Sequence, residues 1–352
     1  MHKTTIIPGS AAALFALCGA AFAEEAAAPE EAETALPLVS SIENFKVEGL
    51  VEVSASYTKQ GSDKDTDINV DTVEIDLSLE PTDRLSLAVA FLYEEGEEDN
   101  HVIVDSAEIA YAFESVEGLS LHAGKIYMPF GSFETGLISD PMTLELGEIS
   151  DGAIGLVWES EMLDLAAYAF AGDINDANDD ADKLQYVAAA TLKPFDGFSL
   201  KFAVLSDICE AALDDDIIDA LENEEVLEPH YDGSLGVNVA AMLELGDFAI
   251  AAEWIAATDD IEVNEETSKP QTWSVDLMWG VTDKLTLSAR YEGSKEFLPD
   301  EMPETQFGIG GEYAFDDNLS LALEYLYGEF DGEGEDKPDD RHVATAKIAF
   351  AF

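Results

Sequence analysis

From Phe45 onward, apolar and polar residues alternate with a period of two. Phe45, Val47, Val51, Val53 and Tyr57 fall on one parity, and Lys46, Glu48, Glu52, Ser54 and Ser56 on the other. Alternate side chains of a strand point to opposite faces, whereas a helix would scatter these residues around its circumference. The pattern recurs to the last residue: Val73 to Leu79, Leu85 to Tyr93, Ala107 to Phe113, Leu235 to Leu243, Trp273 to Trp279 and Leu319 to Tyr327 all carry it. A loose repeat accompanies it, as Thr82-Asp83-Arg84-Leu85-Ser86-Leu87, Thr282-Asp283-Lys284-Leu285-Thr286-Leu287 and Asp316-Asp317-Asn318-Leu319-Ser320-Leu321. Each copy reads as a tight turn feeding a strand.

The connections sort by length. Short turns fall near 81–84, 114–118, 159–162, 194–197, 245–247, 281–284 and 315–318. Long polar connections fall near 58–68, 94–101, 128–152, 172–183, 206–233, 257–270, 292–305 and 329–340. Short and long alternate throughout, which predicts about 16 antiparallel strands with both ends on the short-turn side. A soluble sandwich has no reason to segregate its connections this way. The expected fold is therefore all-β, a transmembrane antiparallel β-barrel over residues 44–352, in the outer membrane of a Gram-negative bacterium. The apolar parity is its lipid face. The other parity carries Glu48, Glu52, Glu74, Asp76, Glu108, Lys125, Asp276, Arg290, Glu312 and Glu324 as candidate lumen-facing charges. Water solvates them there, and a barrel of this width is too wide for side chains to fill.

Two segments precede the barrel. Residues 1–23 read as a cleaved signal peptide: His2 and Lys3, an apolar stretch from Ile6, and Ala21-Phe22-Ala23 before Glu24-Glu25. Residues 24–43 are a flexible lead-in of Ala, Glu and Pro. No other stretch approaches 18 consecutive apolar residues, so any crossing of a membrane is by strands.

Charge changes the picture most. The 76 Asp and Glu face 16 Lys and Arg, a formal net charge of −60. That excludes nucleic acid as a partner, because phosphate binding needs a basic face. Acidic runs crowd the long connections, as in Glu94 to Asp99, Asp173 to Asp182, Asp214 to Asp216, Glu222 to Glu228 and Asp331 to Asp340. A solvated surface accounts for them; so would divalent cations bridging them to lipopolysaccharide. Leu213, Ile217 and Leu221 have helical spacing within one such loop. His101, His122, His230 and His342 share no ligand spacing and no nucleophile motif accompanies them, so neither a metal site, a cofactor nor an enzyme is expected.

The third long connection is too apolar for a loop in open water. Its inward folding would narrow the pore and place Glu134, Asp140, Glu145 and Glu148 at the constriction. Here Gly124-Lys125-x-Tyr127-x-Pro129-Phe130-Gly131-x-Phe133, followed by Ile138-Ser139-Asp140-Pro141-x-Thr143-Leu144-Glu145-Leu146-Gly147-Glu148, resembles the siderophore porins of the legiobactin-uptake type. The resemblance implies a porin-like channel taking up a ferric-siderophore complex. A general cation-preferring diffusion porin without a dedicated ligand is the alternative. Outer-membrane lipid, lipopolysaccharide and a homotrimer complete the candidate partners.

Overall fold

The computed structural model describes residues 44–95, 101–172, 184–212, 231–263, 266–296, 302–330 and 340–352. The expected signal peptide, the lead-in, most of the acidic runs and the helix around Leu213, Ile217 and Leu221 lie outside the described residues.

The first strands are β1 (Phe45–Gln60), β2 (Asp63–Thr82), β3 (Leu85–Tyr93), β4 (Ile103–Ala112) and β5 (Leu119–Tyr127). A single helical turn, α1 (Met142–Glu145), precedes β6 (Ser150–Trp158), β7 (Leu163–Ala171), β8 (Leu184–Phe195) and β9 (Phe198–Leu205). A second turn, α2 (Cys209–Ala212), and the short β10 (Tyr231–Asp232) lead to β11 (Gly236–Leu245) and β12 (Phe248–Ala257). Then come β13 (Ile261–Val263), β14 (Glu266–Ser268), β15 (Gln271–Thr282), β16 (Leu285–Lys295), β17 (Thr305–Ala314), β18 (Leu319–Glu329) and β19 (Asp340–Ala351). Strands β10, β13 and β14 form a small separate sheet, and the other sixteen close an antiparallel barrel in which β19 pairs with β1.

The turn chemistry explains the sequence repeat. Thr82 Oγ1 accepts the N–H groups of Arg84 and Leu85 at 3.3 and 3.1 Å. Thr282 Oγ1 does the same for Lys284 and Leu285, and Asp316 Oδ1 for Asn318 and Leu319. In each copy the leading side chain satisfies backbone donors that the reversing chain frees. At the seam, Gly49 and Phe352 exchange both backbone hydrogen bonds at 3.0 Å. A Cβ on Gly49 would stand 2.5 Å from the Phe352 ring, so a side chain there would displace that ring.

The outer face is apolar: Ile75, Ile109, Ile154, Phe202, Ile250, Leu277, Ile309, Leu323 and Ile348 are all exposed on it. Toward the short turns it carries aromatic pairs, including Phe248 stacked on Trp279 at 5.6 Å. This is the apolar band and aromatic girdle of a barrel in lipid. Among the described residues no helix is long and apolar enough to cross a membrane.

The first long connection departs from expectation. Residues 58–68 are mostly strand, because β1 and β2 continue as a ladder from Tyr57 opposite Thr66 to Gln60 opposite Asp63. Only Gly61 and Ser62 turn, with Gly61 at φ 58°. The segment is polar because water reaches it, and polarity alone does not distinguish an exposed hairpin from a loop.

Candidate functional site

Met128 to Ile149 folds into the barrel, driven by side chains that water rejects. Phe130 and Leu146 are fully buried, and Phe133, Leu137 and Met142 nearly so. They pack into depressions that glycines leave in the wall. A Cβ on Gly236 would lie 2.8 Å from Phe130 Cζ, and Cβ atoms on Gly308 and Gly310 would lie 2.5 and 2.8 Å from the Leu137 methyls.

An irregular segment inside a barrel must also find acceptors for its backbone N–H groups. Carboxylates of the wall provide them. Ser132 and Phe133 N–H donate to the two Glu253 oxygens at 2.7 and 2.9 Å. Ile138 and Ser139 N–H donate to Glu324 Oε2 at 2.8 and 3.0 Å. Met142 N–H, at the start of α1, donates to Glu292 Oε2 at 2.7 Å. Hydrogen bonds to charged groups contribute about 1.5–3 kcal/mol each. The pair at Glu253 helps hold Phe133 at φ 52°, a conformation costly for a non-glycine residue.

Arg290, fully buried, ties these anchors together. Its Nε donates to Glu292 Oε1 at 2.9 Å, its Nη1 to Thr135 Oγ1 and the Ser139 carbonyl, and its Nη2 to Ser139 Oγ. Thr135 Oγ1 in turn donates to Asp276 Oδ1 at 2.9 Å. Lys201 Nζ donates to the Gly131 carbonyl, and Asn238 and Gln306 donate to Glu253 and Glu292. The loop is thus bonded to the wall running from β9 to β18.

The candidate residues divide accordingly. Asp276, Arg290 and Glu324 belong to the docking network. Glu52 pairs with Lys347 at 2.9 Å beside the β1–β19 seam. Glu48 is exposed and stands directly opposite Asp76, while Glu74 and Asp76 are half-buried. Glu312 is half-buried opposite Ala322. Lys125 differs from expectation: it lies opposite Ala107 in register with Leu121 and Ala123, whose partners Tyr111 and Ile109 are exposed on the outer face. Its ammonium bonds the Val104 carbonyl at 3.0 Å instead of entering the lumen.

On the loop, Asp140 and Glu145 are exposed, whereas Glu134 and Glu148 are half-buried. Burial, and next the neighbouring Glu253, push the Glu134 carboxyl up. Burial, followed by repulsion from Asp140 and Asp105, pushes Glu148 up to about 7. Asp105, on β4, is thus close enough to the loop to repel Glu148.

The motif residues are largely spent on this placement. A Cβ at Gly124, with φ 146°, would meet the Ala107 carbonyl oxygen at 1.9 Å. Tyr127 Oη donates to Asp105 Oδ1 at 2.6 Å. Pro129 is half-buried between Met128 and Phe130. Gly131 passes beneath the Phe133 ring, Ser139 is the hub for Arg290 and Glu324, and Pro141 caps α1. Sequence reasoning missed Glu253, Glu292 and Asn238, although each sits on an inward parity. It also missed that Ser120 and His122 hydrogen-bond each other while His122 meets Glu108.

Comparison with known proteins agrees with this architecture. Residues 10–333 match the model of the Gram-negative porin family. The anion-selective porin from Comamonas acidovorans superposes with a TM-score of 0.67 at 7% identity, covering 88% of this chain and 99% of that one. The Salmonella typhi OmpF complex with daunomycin gives 0.60 at 16%, covering 88% and 97%. In-vitro folded OmpT of Vibrio cholerae, in its trimer form, gives 0.57 at 14%, covering 88% and 100%. No curated protein is matched by sequence.

Proposed function

This chain belongs to the Gram-negative porin family, and on that premise we propose that it is a passive, cation-preferring diffusion channel of the outer membrane. The observation that carries this reading is the docking of the loop on the β9–β18 wall, which leaves Asp140, Glu145 and Glu148 of the loop and Glu48, Glu74 and Asp76 of β1 and β2 exposed or half-buried. In this reading the two sets border the open passage. Arg290 and Lys347 are tied to Glu292 and Glu52 and Lys201 to the loop, which leaves Lys46, exposed on the parity of Glu48, against this row of acids. A lumen with unneutralised carboxylates concentrates cations and repels anions. The fold does not set the sign of this preference, since the porin from Comamonas acidovorans is anion-selective on a similar barrel. Reversal potentials across a planar bilayer under a KCl gradient test the reading; anion preference overturns it.

Uptake of a ferric-siderophore complex is the second reading, supported by the resemblance over residues 124–148. The packing of Phe130, Phe133 and Pro141 accounts for much of that motif through loop docking, so a dedicated ligand rests on the resemblance alone. Unchanged iron-limited growth on candidate ferric siderophores after gene deletion would sink it. We extend the trimer form recorded for Vibrio cholerae OmpT to this chain as a homotrimer. A monomeric mass by light scattering in detergent would exclude that.

A further inference from the structure

One cluster on the lumen wall serves neither loop docking nor the acidic passage. Ser120 and His122 stand two residues apart on β5, which puts both side chains on one face of that strand. Glu108 reaches them from β4, where it lies opposite Gly124. Ser120 Oγ is 2.7 Å from His122 Nε2, and His122 Nδ1 bonds Glu108 Oε1. The Tyr168 ring closes the other side of the imidazole, its centroid 6.3 Å away at 71°. A Cβ at Gly155 would strike that tyrosine at 2.2 Å, so the glycine makes room for it. The His122 and Glu108 side chains are 12% and 13% exposed, and Ser120 is likewise half-buried. All three are half-buried, so none is sealed from the lumen.

A hydroxyl on an imidazole whose far nitrogen is held by a carboxylate is the arrangement that activates a nucleophilic serine, whatever fold carries it. We propose that Ser120 is such a nucleophile, with His122 as its base and Glu108 as a positioning residue, and that it takes acyl groups from small carboxylic esters entering the barrel. With Glu108 accepting the Nδ1 proton, Nε2 presents its lone pair to the Ser120 hydroxyl. As Oγ bonds to the ester carbonyl carbon, its proton passes to Nε2 and the carbonyl π pair moves onto oxygen. That pair returns as the carbon–alkoxide bond breaks, and the alkoxide leaves as the alcohol with the proton from Nε2. Water repeats the sequence on acyl-Ser120, giving its proton to Nε2, which returns it to Oγ. The net change is ester plus water to acid plus alcohol.

The three side chains provide attack and proton transfer. They do not include a donor aimed at the oxyanion, a component contributing about 10²–10³ in rate. Both acylation and deacylation pass through that oxyanion and both are slowed, but an activated ester whose phenolate leaves more readily than the Ser120 alkoxide should acylate the serine faster than water removes the acyl group. The same geometry in a merely structural network would give an unreactive serine, so reactivity decides.

The test treats the full folded barrel in detergent with a fluorophosphonate, whose fluoride leaves as Ser120 Oγ bonds phosphorus. Peptide mass mapping should find the adduct on Ser120, absent in Ser120→Ala and formed about 10²-fold or more slowly in His122→Ala. Glu108→Ala should slow labelling about tenfold or more, and Glu108→Asp, which keeps a carboxylate to accept the Nδ1 proton, should restore part of the rate. A purely structural role for Glu108 would leave the labelling rate of the folded variants unchanged. Absence of an adduct on Ser120, or equal labelling in His122→Ala, overturns the proposal. If His122→Ala does not fold, wild type and Ser120→Ala decide: a p-nitrophenolate burst from p-nitrophenyl acetate that is lost in Ser120→Ala supports the proposal, and no burst, or a burst kept in Ser120→Ala, overturns it.

Discussion

Glu253, Glu292 and Glu324 on the loop-bearing wall and Glu48, Glu74 and Asp76 on the wall from β1 to β4 are the same chemistry in two settings. The first three are 7%, 0% and 6% exposed, and each accepts at least one backbone N–H from the loop. The second three are exposed or half-buried, and Glu48 faces Asp76 directly across the β1–β2 ladder. Like charges opposite one another on a sheet are unfavourable, and water in the lumen offsets that cost. A carboxylate on the inward parity can therefore be an anchor or a source of field. Which it becomes depends on whether donors approach it.

The comparison breaks most severely at Arg290. Arg290→Met removes the donor to Glu292, Thr135 and Ser139 and leaves Glu292 buried with less compensation. A loss of about 3–5 kcal/mol is expected, read as a lower unfolding temperature in detergent together with larger or noisier single-channel currents as the loop loosens. Gly308→Leu attacks the same docking sterically, because Leu137 already fills the space above that glycine. About 1–3 kcal/mol is expected, with the same change in current; an unaltered channel would show that Leu137 does not hold the loop.

Titration sharpens the open half. Glu148, raised to about 7, is ionised above that pH and neutral below it. Cation preference should therefore fall as pH drops from 8 to 6, and Glu148→Gln should make this step smaller. The sign for stability is opposite to that of an ordinary paired carboxylate. Between the unfolded value of 4.5 and about 7 the folded barrel holds the extra proton, so stability rises as pH falls through that window. The smallest stability effect is expected for Glu74→Gln and Asp76→Asn, within about 0.5 kcal/mol, while each weakens cation preference.

Much of the barrel is legible in the chain because a strand reports its faces locally. The Thr82, Thr282 and Asp316 repeats are turn acceptors, and the parity around Ile250 and Trp254 places Glu253 inward. Its role is not legible, since that depends on where a loop more than a hundred residues earlier docks. Lys125 shares the parity of Leu121 and Ala123, so its outward placement could have been read from the strand itself. The hairpin at 58–68 was obscured because a ladder standing in water needs no apolar face. Ser120 and His122 are visible as neighbours two apart on β5, but Glu108 joins them through cross-strand register, which sequence spacing does not reveal.

The division of labour between the two walls is tested most directly by reversal potentials under a KCl gradient, comparing wild type with a Glu48→Gln, Glu74→Gln, Asp76→Asn variant at pH 8. Wild type should prefer cations, and the triple variant should move markedly toward no preference while keeping its unfolding temperature. An anion-preferring wild type, or an unchanged preference in the variant, would contradict the account.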